Sequence, residues 1–209
     1  MKADLHCHTV LSDGAMRVDQ IMPYAKRIGL DYIAISDHES THSIPEAVRL
    51  GKELGVHAGS FMMGYTGTPI GQLHNELFRA GGPHKFPYRY MDAKTVTDFL
   101  HSCGGVVVLA HPGQYKADNV MEMMIEEHML DGIELNHPRN DEKTREHITS
   151  LCKEHDLFMT GGTDFHGLYT KTPYPLGSFL CPKEGLYRLI LAGEQANKAF
   201  YEKHPKFKK

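Results

Sequence analysis

His6 and His8 stand one residue apart in Asp4-Leu5-His6-Cys7-His8-Thr9, and Ser12-Asp13-Gly14 follows at once. Side chains on a β-strand alternate between faces, so both imidazoles point the same way while Leu5 and Cys7 point the other. Two imidazoles on one face are half a metal site. Asp164 and His166 repeat the spacing in Gly161-Gly162-Thr163-Asp164-Phe165-His166-Gly167, far along the chain. Ser36-Asp37-His38 and Ala110-His111-Pro112 each follow a β-like run, so four strand ends bring His and Asp toward one rim. A donor set of imidazole and carboxylate without thiolate suits Zn, Mn or Fe and does not choose among them. Two such metals, about 3.5–4 Å apart, clamp a phosphoryl group and lower the pKa of a shared water toward about 7.

The elements that must carry these residues read as alternating strands and helices. Val18, Ile21, Met22, Ala25 and Ile28 have the spacing of an amphipathic helix over 18–28, which Gly29 closes. A buried strand over 31–36 follows, then a helix to Leu54 with Ser43 as its cap and Glu46 as capping-box partner. Further strands are expected over 56–63, 71–78, 105–110, 132–136 and 157–160, and further helices over 93–103, 119–130, 142–155 and 184–192. Residues 79–90, rich in Gly and Pro, have no usable period and read as a loop over the site. Seven strands alternating with helices, with polar residues after nearly every strand, indicate an α/β barrel whose chemistry gathers at the C-terminal strand ends.

With 209 residues and 41% hydrophobic residues the chain is expected to form one domain, 1–209, ending in a basic tail from about 198. A net charge of −3 gives no reason to expect bulk binding to nucleic acid or an anionic membrane. Four scattered cysteines without a C-x-x-C pair exclude a disulfide framework and a thiolate zinc site, which fits a reducing, cytoplasmic setting. The sequence shows no apolar signal region and no long apolar run, so the protein reads as unexported and not membrane-spanning.

Taken together, Asp-Leu-His-Cys-His-Thr with Ser-Asp-Gly, then Ser-Asp-His, Ala-His-Pro-Gly, Gly-Ile-Glu and Thr-Gly-Gly-Thr-Asp-Phe-His-Gly resemble the motifs of the PHP (polymerase and histidinol phosphatase) domain family, in order, from Asp4 to Gly167. The resemblance implies a distorted seven-stranded, TIM-like β/α barrel with up to three divalent metals at its rim and hydrolysis of phosphate esters. It implies that His6, His8 and Asp164 hold one metal, that Asp13, His38 and His166 hold a second, and that His111 helps to hold a third. The family's Pro-Gly-x-Glu motif supplies a bridging carboxylate and is followed by a further His ligand. Here Met63-Gly64-Tyr65-Thr66 places Thr66 at the bridging position, His74 is the later ligand, and Glu76 lies on the same face of an extended segment.

Other residues near these motifs have weaker roles. Glu134 follows a strand and faces inward if Ile133 and Leu135 face helices, either as a carboxylate behind the metal ligands or as a polar residue of the barrel. Arg139 reads either as a planar fork for a phosphate or as a solvated loop arginine, and His84 and Lys85 either as substrate contacts or as ordinary residues of a Gly-Pro turn. His42, His57, His101, His128, His147, His155 and His204 read as ordinary surface or packing residues, and the methionines of 121–124 as core filler. Three functions compete: a phosphoesterase on a small phosphomonoester or nucleotide, an amidohydrolase-type metal hydrolase, and a non-catalytic metal-binding module. The Ser-Asp-Gly, Ser-Asp-His and Asp-x-His motifs favour the first, with a small phosphorylated substrate, nucleic acid only as a short oligonucleotide, and no membrane partner.

Overall fold

The computed structural model describes residues 1–38, 40–60, 91–116, 118–168 and 172–208. The chain divides into two compact units, one formed by Met1–Tyr90 with Thr163–Ser178, the other by Met91–Gly162 with Phe179–Lys209.

In the first unit three parallel strands, β1 (Ala3–Cys7), β2 (Tyr32–Ile35) and β3 (His57–Ser60), form a sheet in the order β1-β2-β3. The register pairs Ala3 with Tyr32 and Cys7 with Ile35, with an irregularity between Asp4 and Cys7. Parallel neighbours need a crossover, and the helices α1 (Val18–Arg27) and α2 (Ile44–Leu54) supply it. Val18, Ile21, Met22 and Ala25 are the buried stripe of α1, the spacing that the sequence shows. Ser43 departs from its expected role. Its side chain makes no capping bond and its backbone is already helical, with φ −70° and ψ −22°. Pro45 removes one of the donors a cap would satisfy, and Glu46 pairs with Arg49 instead, at 2.7 Å.

The second unit holds β4 (Val108–Leu109), β5 (Gly132–Asn136) and β6 (Phe158–Gly161), parallel and in the order β4-β5-β6. Its helices are α3 (Ala93–Ser102), α4 (Pro112–Tyr115), α5 (Asp118–Glu126), α6 (Glu142–Glu154) and α7 (Lys183–Lys203). Asp92 and Asp141 cap α3 and α6 by accepting from Thr95 N at 2.9 Å and Thr144 N at 2.8 Å. A core of Val107, Met121, Met124, Ile125, Leu130, Ile133, Ile148 and Cys152 fills the space between sheet and helices, so Met121 and Met124 of α5 are packing residues as expected, whereas Met123 is exposed because it falls off the buried stripe of the helix.

Three expected elements change length by more than two residues for reasons visible in the structure. β4 is two residues long because Val107 N donates to the Asp131 carboxylate, at 2.7 Å, and Gly105 N to Leu100 O, which takes those groups out of a ladder. α5 stops at Glu126 because His128 turns into the left-handed region, φ 54°. α7 runs on to Lys203, followed by a 3-10 turn over Pro205–Phe207, so most of the expected basic tail is ordered. A Cβ on Gly104 would lie 2.8 Å from Phe200 Cβ and 3.1 Å from Ala196 O, and that close packing carries the helix past Gly193.

Among the described residues there are six strands in two three-stranded parallel sheets; the strand expected over 71–78 lies outside them. No helix among the described residues is long and apolar enough to cross a membrane.

Candidate metal centre

The first unit assembles six of the sequence-predicted ligands. β1 carries His6, and His8 follows its last residue on the same face, with Cys7 fully buried on the other, donating its thiol to Ala34 O at 3.2 Å. The segment that returns at Thr163 lies along β1: His8 N donates to Phe165 O at 2.8 Å and Phe165 N to His6 O at 3.3 Å. Phe165 is buried and edge-on to Tyr24, so its neighbours Asp164 and His166 fall on the histidine face. Asp164 sits in the left-handed region, φ 54°, a conformation Asp tolerates better than most residues. What holds it there is Asp4. This buried carboxylate accepts from Thr163 N at 2.9 Å, from Gly177 N at 2.7 Å and from the Thr163 hydroxyl. Burial raises the Asp4 pKa, and the bonds from Thr163, Gly177 and His6 oppose it.

Asp13 arrives on a turn in which Ser12 N and Gly14 N both donate to Thr9 O, at 3.1 and 2.9 Å. Gly14 is required there, since a Cβ would meet His8 O at 2.3 Å. His38 follows the end of β2. The resulting cage has Asp13 Oδ1 3.3 Å from His166 Nε2 and Asp13 Oδ2 3.4 Å from His38 Nε2. Asp164 Oδ1 lies 3.3 Å from His6 Nε2 and 3.2 Å from His8 Nε2. The rings of His8 and His166 stack at 4.1 Å. Two groups could each hold a metal ion, His6 with His8 and Asp164, and His8 with Asp13, His38 and His166.

The electrostatics favour a neutral His8 and an ionised Asp13, while His166 shifts the other way. Burial is the main reason the His8 pKa falls to about 4, helped by His6 and His166. Burial also works to raise the Asp13 carboxyl, but hydrogen bonds from His166 and His38 outweigh it and hold Asp13 well below the ordinary carboxylate range. For His166 burial acts downward, and the bond to Asp13 with the charge of Asp164 raises it on balance.

A metal fits this donor set for a reason visible at His8. Its Nε2 faces Asp164 at 3.2 Å and its Nδ1 faces Asp13 at 3.5 Å, and the buried Nδ1 makes no hydrogen bond. A neutral imidazole has one N–H, so one ring nitrogen must turn a lone pair toward a carboxylate. A bound cation removes that repulsion, whereas protonation of His8 is opposed by its burial.

In the second unit His111 takes a left-handed backbone, φ 30°, and its N–H donates to the Glu134 carboxylate at 2.8 Å. Glu134 is buried, as its inward-facing reading requires. His137 is fully buried, its ring centroid 4.9 Å from that of His111, and its Nδ1 accepts from Arg139 N at 3.0 Å. Arg139 itself is exposed. Thr66, His74, Glu76, His84 and Lys85 lie outside the described residues. The histidines read as ordinary behave so: His57 stacks on Tyr32, His101 meets Asp131 and His147 meets Glu122.

Sequence reasoning missed the anchoring roles of Asp4, Asp37 and Thr163, which hold the backbone of the ligand segments, Asp4 also accepting from His6 N at 3.3 Å. Asp37 is fully buried and accepts from Thr9 and Ser12. The signal that could have found them is an Asp placed among Ser, Thr and Gly beside a ligand motif, where a short acceptor organises turns.

The chain is similar to known proteins over most of its length. A phosphoribosyl 1,2-cyclic phosphate 1,2-diphosphodiesterase from Eggerthella lenta is 23% identical over 256 aligned positions, which take in 83% of this chain and 97% of that protein. Among solved structures, a candidate metal-dependent phosphoesterase from Bifidobacterium adolescentis shares the fold with a TM-score of 0.76 and 21% identity, over 91% of this chain and 96% of the other. An amidohydrolase from Chromobacterium violaceum shares it at 0.68 with 15% identity, over 90% and 97%. The sequence profile of the PHP domain matches residues 4–162, well over half of the 209, and the chain belongs to the PHP domain family.

Proposed function

We propose that this protein is a metal-dependent phosphoesterase that hydrolyses a small phosphomonoester or nucleotide, with a short oligonucleotide the largest nucleic acid it takes. The observation that carries the reading is His8, buried and set between two carboxylates that its neutral ring cannot both satisfy. His6, His8 and Asp164 hold one divalent metal, Asp13, His38 and His166 a second, and His111 with His74 and Glu76 belongs to a third, so that two or three of Zn, Mn or Fe are bound. When bound, such metals neutralise phosphate charge and supply hydroxide at neutral pH. The chain's own residues make that possible. Asp13 stays ionised at all working pH values, His8 stays neutral, and the Asp4 anchor fixes Asp164 at the mouth of β1. Arg139 and His84 are the substrate contacts.

The family supports a phosphate ester as substrate, and the Eggerthella lenta relative, named for a phosphoribosyl cyclic phosphate, supports a small one. Its alignment spans more positions than this chain has residues, so that relative carries segments this chain lacks. We further read residues 1–209 as one PHP-type domain forming the family's distorted seven-stranded barrel, in a reducing, cytoplasmic setting.

The test combines metal analysis of protein purified without chelator with a phosphate-release screen over nucleotides, histidinol phosphate, sugar phosphates and cyclic phosphates. Chelator-sensitive phosphate release is expected; turnover of amides or lactones alone would refute the reading. With Thr66 at the family's bridging position, the metal of His74 and His111 is expected to be weak or absent and the site to hold fewer than three; if Glu76 supplies the missing carboxylate, Glu76→Gln is expected to remove one metal and spare that of Asp13, His38 and His166.

A further inference from the structure

Asp37 makes none of the contacts expected of a ligand, yet it is fully buried beside one. Its Oδ1 accepts from Thr9 N at 2.7 Å and from Ser12 Oγ at 2.9 Å, and its Oδ2 from Thr9 Oγ1 at 2.9 Å. Thr9 Oγ1 in turn accepts from Leu11 N at 3.1 Å. The carboxylate therefore grips both ends of the turn that delivers Asp13. Ser12 has a second acceptor within reach, Asp13 Oδ1, at 3.3 Å. A serine hydroxyl has one proton and can donate it to one carboxylate at a time. The shorter bond goes to Asp37.

We propose that Asp37 is a positioning residue that draws the Ser12 proton away from Asp13, leaving Asp13 Oδ1 open toward His8, His166 and a bound cation. The inference rests on the metal-dependent reading above. Hydrogen bonds to ionised acceptors are roughly twice as strong as neutral ones. Replacing Asp37 by its neutral isostere shifts the competition: the Ser12 proton turns to Asp13, occupies a lone pair a cation would use, and weakens the site. The same logic makes Ser12 the obligatory intermediary. Once its hydroxyl is gone, the identity of residue 37 matters far less to Asp13.

Titration of the metal-free protein with manganese(II), followed by calorimetry, reads this out in a cycle of Asp37→Asn, Ser12→Ala and the double variant. Asp37→Asn is expected to weaken binding at least about tenfold, the low end for partners of metal ligands. Ser12→Ala alone removes the competing proton and is expected to leave binding close to that of the wild type, and the double variant is expected to recover to the Ser12→Ala level. Losses that multiply in the double variant, or an unchanged affinity in Asp37→Asn, would overturn the proposal. Should Asp37→Asn fail to fold, Ser12→Ala carries the test: binding as tight as in the wild type or tighter, with the melting temperature of the metal-free protein unmoved, supports it, and several-fold weaker binding overturns it. Wild-type protein that takes up no manganese, zinc or iron would instead overturn the metal-dependent reading itself.

Discussion

Burial holds His8 neutral in the folded chain, with a pKa of about 4, and unfolding returns it to the ordinary value near 6.5. Between those values the unfolded chain binds a proton that the folded chain refuses, so stability is fully present above about 6.5 and falls as the pH drops toward 4. The size is on the order of 3 kcal/mol at most, which moves a melting temperature by several degrees in a protein of this length. His166, whose pKa is raised, acts in the opposite sense, adding stability below its unfolded value that is lost as pH rises through its folded one. Metal-free protein is therefore expected to melt progressively lower from pH 7 to 4.5, and His8→Asn is expected to flatten that slope; a melting temperature independent of pH would contradict the burial argument. At the same scale, His6→Ala or Asp164→Ala is expected to lower phosphate release by more than the roughly 10–100-fold typical of groups behind the ligands, with circular dichroism unchanged. Wild-type rates at matched metal occupancy would refute the assignment. His6, His8, Asp164 and His166 were legible because the two-residue strand period and the repeated x-His spacing are local. Asp4 was not legible, since its partners Thr163 and Gly177 lie at the far end of the sequence and only the fold brings them to it.

Elements place these residues through a few close backbone approaches. A Cβ at Gly14 would sit 2.3 Å from His8 O, so Gly14→Ala must push the Asp13 turn off β1. Its expected effect is loss of metal binding together with a lower melting temperature, measured by calorimetry and thermal denaturation; an Ala variant that binds metal normally would mean the turn has slack. In the second unit α7 approaches β6 so closely that a Cβ at Gly185 would lie 1.7 Å from Met159 O. Gly185→Ala is expected to destabilise by roughly 1–3 kcal/mol or more through overpacking, read as a drop in denaturant midpoint. Most elements were legible because each pairs a clean apolar stripe with a stop: β5 spans the expected residues, and α1 and α6 each end one residue short of the expected boundary. The far half of α7 was not, because Gly193 reads as a terminator and the contact of Phe200 with Gly104 that overrides it is tertiary. The Ser43 cap failed for a local reason that the sequence did contain, Pro45 in the first turn.

At the scale of the whole molecule the two units are not consecutive stretches of chain. The path leaves the first unit near Tyr90, returns at Thr163 and leaves again after Ser178. No linker marks the return. Gly162 N donates to Asn136 O in the second unit at 3.0 Å, and the next residue, Thr163, donates to Asp4 in the first at 2.9 Å. Each of these adjacent residues is thus held inside its own unit. If residues 1–209 form one domain, as we propose, equilibrium unfolding is cooperative despite the two clusters of contacts. Denaturant titrations followed by a fluorophore on Cys103, the exposed cysteine of the second unit, and by a tryptophan introduced for Tyr24 beside Phe165 in the first, are expected to give coincident transitions. The ligand variant Asp164→Ala should leave that coincidence intact. Asp4→Ala, which cuts the tie behind Thr163, should lower both midpoints together. Two separated transitions in the unaltered chain would instead divide it into independently folding domains, with the candidate ligands of the first unit belonging to a module that stands without the second.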